Sequence, residues 1–189
     1  PQILNLNMGA PFQPFSRAPQ IRYRYKTGDI QITGAALWQS QYLSQGPEGK
    51  SQKYIKNSCV PEIYAGIDYK HKGLLIGAGI EMVSLTPRTQ ATVEDKIYKV
   101  SERITSLSYE VHMKYNSEKW LVAAKSVLGS NLTQTSMLGG YGIKSIDPRT
   151  GEQEYSPNRN SSSWINIVYG KTWKPAIFFG YMKNLGTSD

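Results

Sequence analysis

Glu110, His112 and Lys114 set an acid, an imidazole and an amine two residues apart. Groups of these types can exchange protons, but a spacing of two lines them up along one face of an extended strand. A solvated row is the plainer reading, and no catalytic residue is assigned. His71 falls in a turn and His112 on a strand, with no second histidine at ligand spacing, so no metal site is expected. Cys59 is the only cysteine and lies in a long loop, which excludes an intrachain disulfide and a multi-cysteine metal centre. Neither a glycine-rich phosphate loop, a nucleophile elbow nor a zincin motif occurs. Gly77-Ala-Gly79 sits inside a strand pattern, where glycine keeps one face slim. The sequence therefore predicts no enzyme and no cofactor. Its most pointed feature is basic: Arg22, Arg24 and Lys26 recur at alternate positions. Two guanidinium forks in such a rung can hold carboxylates or phosphates bidentately.

The elements that position these residues have a period of two. Ile21, Tyr23 and Tyr25 alternate with Arg22, Arg24 and Lys26; Ile63, Ala65, Ile67 and Tyr69 with Glu62, Tyr64, Asp68 and Lys70. Ile30, Ile32, Gly34, Ala36, Trp38 and Tyr42 oppose Gln31, Thr33, Gln39 and Gln41. Leu74 to Met82 alternate with Leu75, Gly77, Gly79 and Glu81. The clearest run sets Leu107, Tyr109, Val111, Met113 and Tyr115 against Ser106, Ser108, Glu110, His112 and Lys114. Trp120, Val122 and Ala124 face away from Lys125, and Ile165, Ile167 and Tyr169 away from Asn166. Weaker alternation closes the chain at Ile177, Phe179 and Tyr181. Such alternation marks strands with one apolar and one polar face. Residues 91–103 fit either a short helix or an extended hairpin. Ile3–Met8 reads as a first strand, which makes about nine.

Tight polar turns at 26–29, 70–73, 116–119 and 171–174 alternate with long links near 9–19, 44–60, 86–103 and 129–163. A transmembrane β-barrel requires that asymmetry, with short periplasmic turns and long extracellular loops. The runs at 30–42, 74–85, 104–115 and 119–128 reach the roughly 9–11 residues that a tilted membrane strand needs. Aromatics fall at both strand ends. Tyr25, Tyr69, Tyr115, Trp120 and Trp173 lie beside the short turns, and Trp38, Tyr42 and Trp164 near the long loops, as two interfacial girdles would.

Composition sets bounds without deciding. Of 189 residues, 39% are hydrophobic, too many for a disordered chain, and the mean hydropathy is −0.45. No run of 18 apolar residues offers a membrane-spanning helix, a test that barrel strands do not register. The net charge of +8 raises nucleic-acid binding. That is set aside, because the basic residues form no stripe with the aromatics, which belong to the opposite faces. The chain begins at Pro1 without a signal sequence, and nine is an odd strand count. Residues 1–189 are therefore expected to be a single β-barrel section, part of a larger barrel.

The stretch Leu6-Asn-Met-Gly-Ala-Pro-Phe-Gln-Pro-Phe-Ser-Arg-Ala-Pro-Gln-Ile-Arg22, followed by a Tyr-rich strand and a Thr-Gly turn, resembles Gram-negative outer-membrane porins of the DcaP-like type, including Bacteroidetes porins. The resemblance rests on these seventeen residues and on the hairpin pattern of the whole chain. It implies a homotrimer of sixteen-stranded barrels passing small hydrophilic, often anionic, solutes by diffusion. It also implies an outer-membrane location among lipid and lipopolysaccharide.

With the apolar faces toward lipid, the expected pore lining is Arg22, Arg24, Lys26, Glu62, Asp68, Lys70, Glu81, Glu110, His112, Lys114 and Lys125, with several glutamines and Asn166. Six cations against four carboxylates predict a mild preference for anions, since like charges in a narrow low-dielectric tube concentrate the opposite ion. The expected function is passive diffusion through a porin. Two other classes compete: a plugged surface barrel acting as adhesin or ligand binder, and a soluble all-β carbohydrate-binding module.

Overall fold

The computed structural model describes residues 10–187. Eight strands form one antiparallel sheet: β1 (Gln20–Thr27), β2 (Ile30–Leu37), β3 (Glu62–His71), β4 (Leu74–Leu85), β7 (Ile104–Asn116), β8 (Trp120–Ser130), β11 (Arg159–Tyr169) and β12 (Ala176–Gly186). Each pairs with its neighbour in this order, an unbroken up-and-down meander. Two small hairpins stand apart from it, β5 (Gln90–Val93) with β6 (Lys96–Lys99), and β9 (Tyr141–Ile146) with β10 (Gln153–Pro157). Among the described residues there are also one helix, α1 (Lys53–Ser58), and a 3-10 turn at Thr133–Thr135. Among the described residues β1 and β12 each pair on one side only.

The alternation dictates the layering. Along β7, residues from Thr105 to Tyr115 at odd positions are exposed, while the even positions from Ile104 to Lys114 are buried or half-buried. Every strand exposes apolar residues, from Ile21 and Tyr23 through Ile67, Ile76, Val111 and Ile165 to Phe179; on the edge strand β1 the alternate Arg22, Arg24 and Lys26 are exposed as well. Water-soluble proteins rarely expose a continuous apolar face of this extent. The opposite face carries the charges. Residues of β1 and β8 line one common cavity, so the sheet curls with its polar face inward.

Turn chemistry explains the short connections. Lys72 and Gly73 both have positive φ, at 43° and 85°, as the two-residue turn that matches strand twist requires. Glu94 and Asp95 repeat this at 47° and 62°, which resolves residues 91–103 as the β5–β6 hairpin rather than a helix. Other boundaries also move. The strand expected over 30–42 stops at Leu37, and the link expected over 129–163 holds β9, β10 and the first half of β11. The expected strand Ile3–Met8 lies outside the described residues.

The three long connections fold onto one another at the loop end. Tyr54 and Ile55 of α1, Tyr141 of β9 and Tyr155 of β10 pack on Val83, Leu85 and Ile104, with Trp38 beside them. Leu132 and Met137 pack against Val127 in a second cluster. The result is a cap over the loop end of the inner face, with its own small apolar core.

Candidate functional site

Strand register converts the alternating polar residues into rows across the inner face. One row runs Arg22, Ala35, Tyr64, Glu81, Ser108. The next runs Arg24, Thr33, Gly66, Gly79, Glu110, Val127, and a third Lys26, Gln31, Asp68, Gly77, His112, Lys125. Small residues at the row centres leave a groove of about 470 Å³. Of the expected lining, Arg22, Arg24, Glu62, Asp68, Glu81, Glu110, His112 and Lys125 border it. Lys26, Lys70 and Lys114 share the face but sit toward the short turns, away from the groove. Gln13, Pro14, Phe15 and Ser16 close one rim, tied down by the Phe15 N–H donating to the Thr135 carbonyl at 2.8 Å.

Two polar networks occupy the floor. In the first, Lys125 pairs with Glu110, and the Tyr64 hydroxyl donates to Glu110 at 2.8 Å. His112 Nε2 lies 3.0 Å from Asp68 Oδ1, and the Gln31 amide donates to Asp68 at 3.3 Å. In the second, loop amides reach strand carboxylates. Gln39 donates to Glu62 at 3.2 Å and Gln134 to Glu81 at 3.4 Å, and Ser44 bridges Gln39 to Gln134. Among the described residues no ion pair reaches Arg22, Arg24, Glu62 or Glu81. The Arg22 guanidinium donates only to Gln20. This arrangement can hold ions and orient polar solutes; it offers no nucleophile paired with a base. Glu110, His112 and Lys114 do share one face, but His112 and Glu110 are each tied to another strand.

The cap is fastened by charge as well as by packing. Arg88 grips Glu102 with two guanidinium nitrogens and donates a further bond to the Gly151 carbonyl at 2.7 Å. Glu102 also accepts from the Gln153 N–H at 2.7 Å and the Tyr155 hydroxyl at 2.8 Å, and its side chain is 0% exposed. Burial alone raises this carboxyl, but Arg88, Gln153 and Tyr155 outweigh it and hold it below the usual carboxylate range. Hydrogen bonding to Glu102 in turn raises Arg88, and burial together with Glu102 raises the Tyr155 phenol. The sequence gives no sign of this clamp, because its members are 14 and more residues apart.

The aromatic girdles divide. Tyr25, Tyr69, Tyr115 and Trp120 stand exposed on the outer face near the short turns, and Trp173 is exposed in a turn. Trp120 packs on Tyr169 with ring centroids 4.5 Å apart, extending that belt. The second girdle is corrected. Trp38 joins the core under the cap, and Tyr42 meets Phe15 edge-on within the loop layer. Trp164 pairs in register with Lys125 and stacks on Phe178, which places it on the inner face. Its parity with Asn166 already carries that information, whereas nearness to a loop does not fix which face a residue takes.

Sequence reasoning missed Tyr64, which lines the groove, and Gln134, which holds Glu81 and Ser44 from the loop layer. Tyr64 is legible from its parity with Glu62 and Asp68. Gln134 lies in a loop without periodicity, so no local signal exists. His71 lies 2.7 Å from Asp29 at the turn end, far in register from His112, and no cluster of metal-ligating side chains forms among the described residues. Comparisons with protein-family models, with characterised proteins and with solved structures find no match.

Proposed function

We propose that this chain is a section of a transmembrane antiparallel β-barrel in a Gram-negative outer membrane. It works as a porin, passing small hydrophilic solutes by passive diffusion with a mild preference for anions. The observation that carries this reading is the inverted polarity of the sheet: apolar side chains exposed on all eight strands, charged and amide side chains inside. In water, burying the polar face and exposing the apolar one opposes the hydrophobic effect; in lipid it is the stable arrangement. The consistent placement of short turns at one end and long loops at the other supports the same orientation. The resemblance of residues 6–22 to DcaP-like porins adds a homotrimer of larger barrels to the proposal.

The cap favours a second reading, a plugged surface barrel whose loops bind a partner, since it covers the loop end of the inner face with packed apolar side chains. Planar-bilayer recording separates the two. Stepwise conductance supports the pore, whereas a membrane-inserted, heat-modifiable chain without steps supports the plugged barrel. A chain that stays monodisperse without detergent overturns both.

A further inference from the structure

We propose that the groove binds a zwitterionic solute of amino-acid or short-peptide size, its anionic end on Arg22 and Arg24 and its ammonium end on Glu62 and Glu81. This names the solute class for the pore proposed above and rests on that assignment of the groove as the solute path.

Some charges of the inner face are already satisfied and others are not. Lys125 is committed to Glu110, and Asp68 is held by His112 Nε2 and the Gln31 amide, so the polar groups in the middle of the inner face are already engaged with one another. The two sides are not. Among the described residues Arg22 and Arg24 on β1 have no carboxylate within ion-pair distance, and Glu62 and Glu81, which contact each other, meet the amides of Gln39 and Gln134 but no cation. Uncompensated positive and negative groups thus border one cavity from opposite sides. Glu62 is buried and Glu81 half-buried, so carboxylate charge there without a counter-charge is costly; Arg22 and Arg24 are exposed, and an anionic group on a ligand would complement their charge.

Dimensions select among ligands. Arg22 and Glu81 share a row with Ala35 and Tyr64 between them, three strand spacings or about 14 Å along the sheet. Both side chains reach inward, and the short Ala35 and Thr33 leave the space between them open. A volume of about 470 Å³ holds a dipeptide with some water. A simple anion would satisfy the arginines and leave the carboxylates facing its other end; a simple cation would do the reverse. Only a solute carrying both charges answers both walls.

Isothermal titration of the 189-residue chain, folded in detergent micelles, tests this with three probes: glycylglycine, N-acetylglycylglycine and glycylglycine methyl ester. Glycylglycine is expected to bind at least tenfold more tightly than either blocked form. The R22A/R24A variant should lose the preference over the methyl ester, and E62Q/E81Q the preference over the acetylated form. Equal binding of glycylglycine and its acetylated form by the unaltered chain overturns the proposal. So does an absence of heat from all three probes while circular dichroism shows an intact sheet. The pore reading stands or falls separately. Binding without conductance steps keeps the site and loses the channel, and steps without the probe preference do the opposite.

Discussion

The Tyr64 hydroxyl reaches Glu110 at 2.8 Å only because its ring crosses two residues that have no side chain. A Cβ at Gly79 would stand 2.6 Å from the Tyr64 hydroxyl oxygen, and one at Gly66 would come as near as 2.5 Å. Glycine here serves close approach rather than backbone freedom, and it lets a tyrosine cross the β3–β4 pair to hold a carboxylate on β7. Gly79→Ala should therefore displace the ring and cost about 1–3 kcal/mol of unfolding free energy. The same substitution in a Tyr64→Ala background should cost far less, because nothing remains to be displaced. Urea titration of the four chains in vesicles checks the non-additivity, and equal costs in both backgrounds refute the contact.

The outer face makes the sharpest demand on the environment. Val111 is 57% exposed in the middle of β7. Val111→Arg should oppose insertion by about 2–4 kcal/mol if that face meets lipid at mid-depth. Gln31→Arg, at a half-buried inner-face position of β2 that borders the groove, should insert normally. In a water-soluble protein the order would reverse, since an exposed arginine is harmless there and a buried one is not. Partitioning of the two variants between vesicles and urea distinguishes the cases.

How far these features could be read from residues alone depended on whether they are local. The bounds of Leu74–Leu85 follow from alternation, because each step of that strand changes face and polarity together. Alternation also continues through Gln39, yet β2 ends two residues earlier. Gln39 leaves the strand line to bond Glu62 and Ser44, a contact set by a loop that has no periodic signal. Glu102 and Arg88 each read as solvated loop charge in isolation. Only the meeting of the long connections reveals them as an ion pair with a buried carboxylate. The inner face was thus legible by parity, while the cap was not.

The cap clamp has a definite pH dependence. The Glu102 carboxyl is held below its unfolded range by Arg88, Gln153 and Tyr155. Its stabilising contribution is complete above the unfolded carboxylate pKa of about 4.3 and is lost as pH falls through the lower folded value. Cap mobility, followed by hydrogen exchange of the Gln153 amide, should therefore rise on acidification below about pH 4. Glu102→Gln should raise exchange at neutral pH and make it insensitive to acid. Because the side chain is fully buried and its partner partly so, that substitution should cost about 3 kcal/mol locally. Acid-insensitive exchange in the unaltered chain would remove Glu102 from this role.

Ion preference rests on fewer residues than the summed charge of the inner face. By type, six lysines and arginines oppose four carboxylates on the inner face. In the groove, however, Lys125 is neutralised by Glu110, and Lys26, Lys70 and Lys114 stand off toward the short turns. An anion preference then depends on Arg22 and Arg24, the cations that, among the described residues, border the groove without a carboxylate partner. Removing both leaves Glu62 and Glu81 as the uncompensated groups, so the field along the path should change sign rather than merely weaken. In a salt gradient, the R22A/R24A chain should show a reversal potential of opposite sign, with the anion-to-cation ratio shifted on the order of tenfold. Lys114→Ala should leave that ratio within about twofold, because its charge lies away from the groove and is screened by water over roughly a Debye length. Matching shifts from the two variants would return the selectivity to the summed charge of the wall and take it away from the arginine pair.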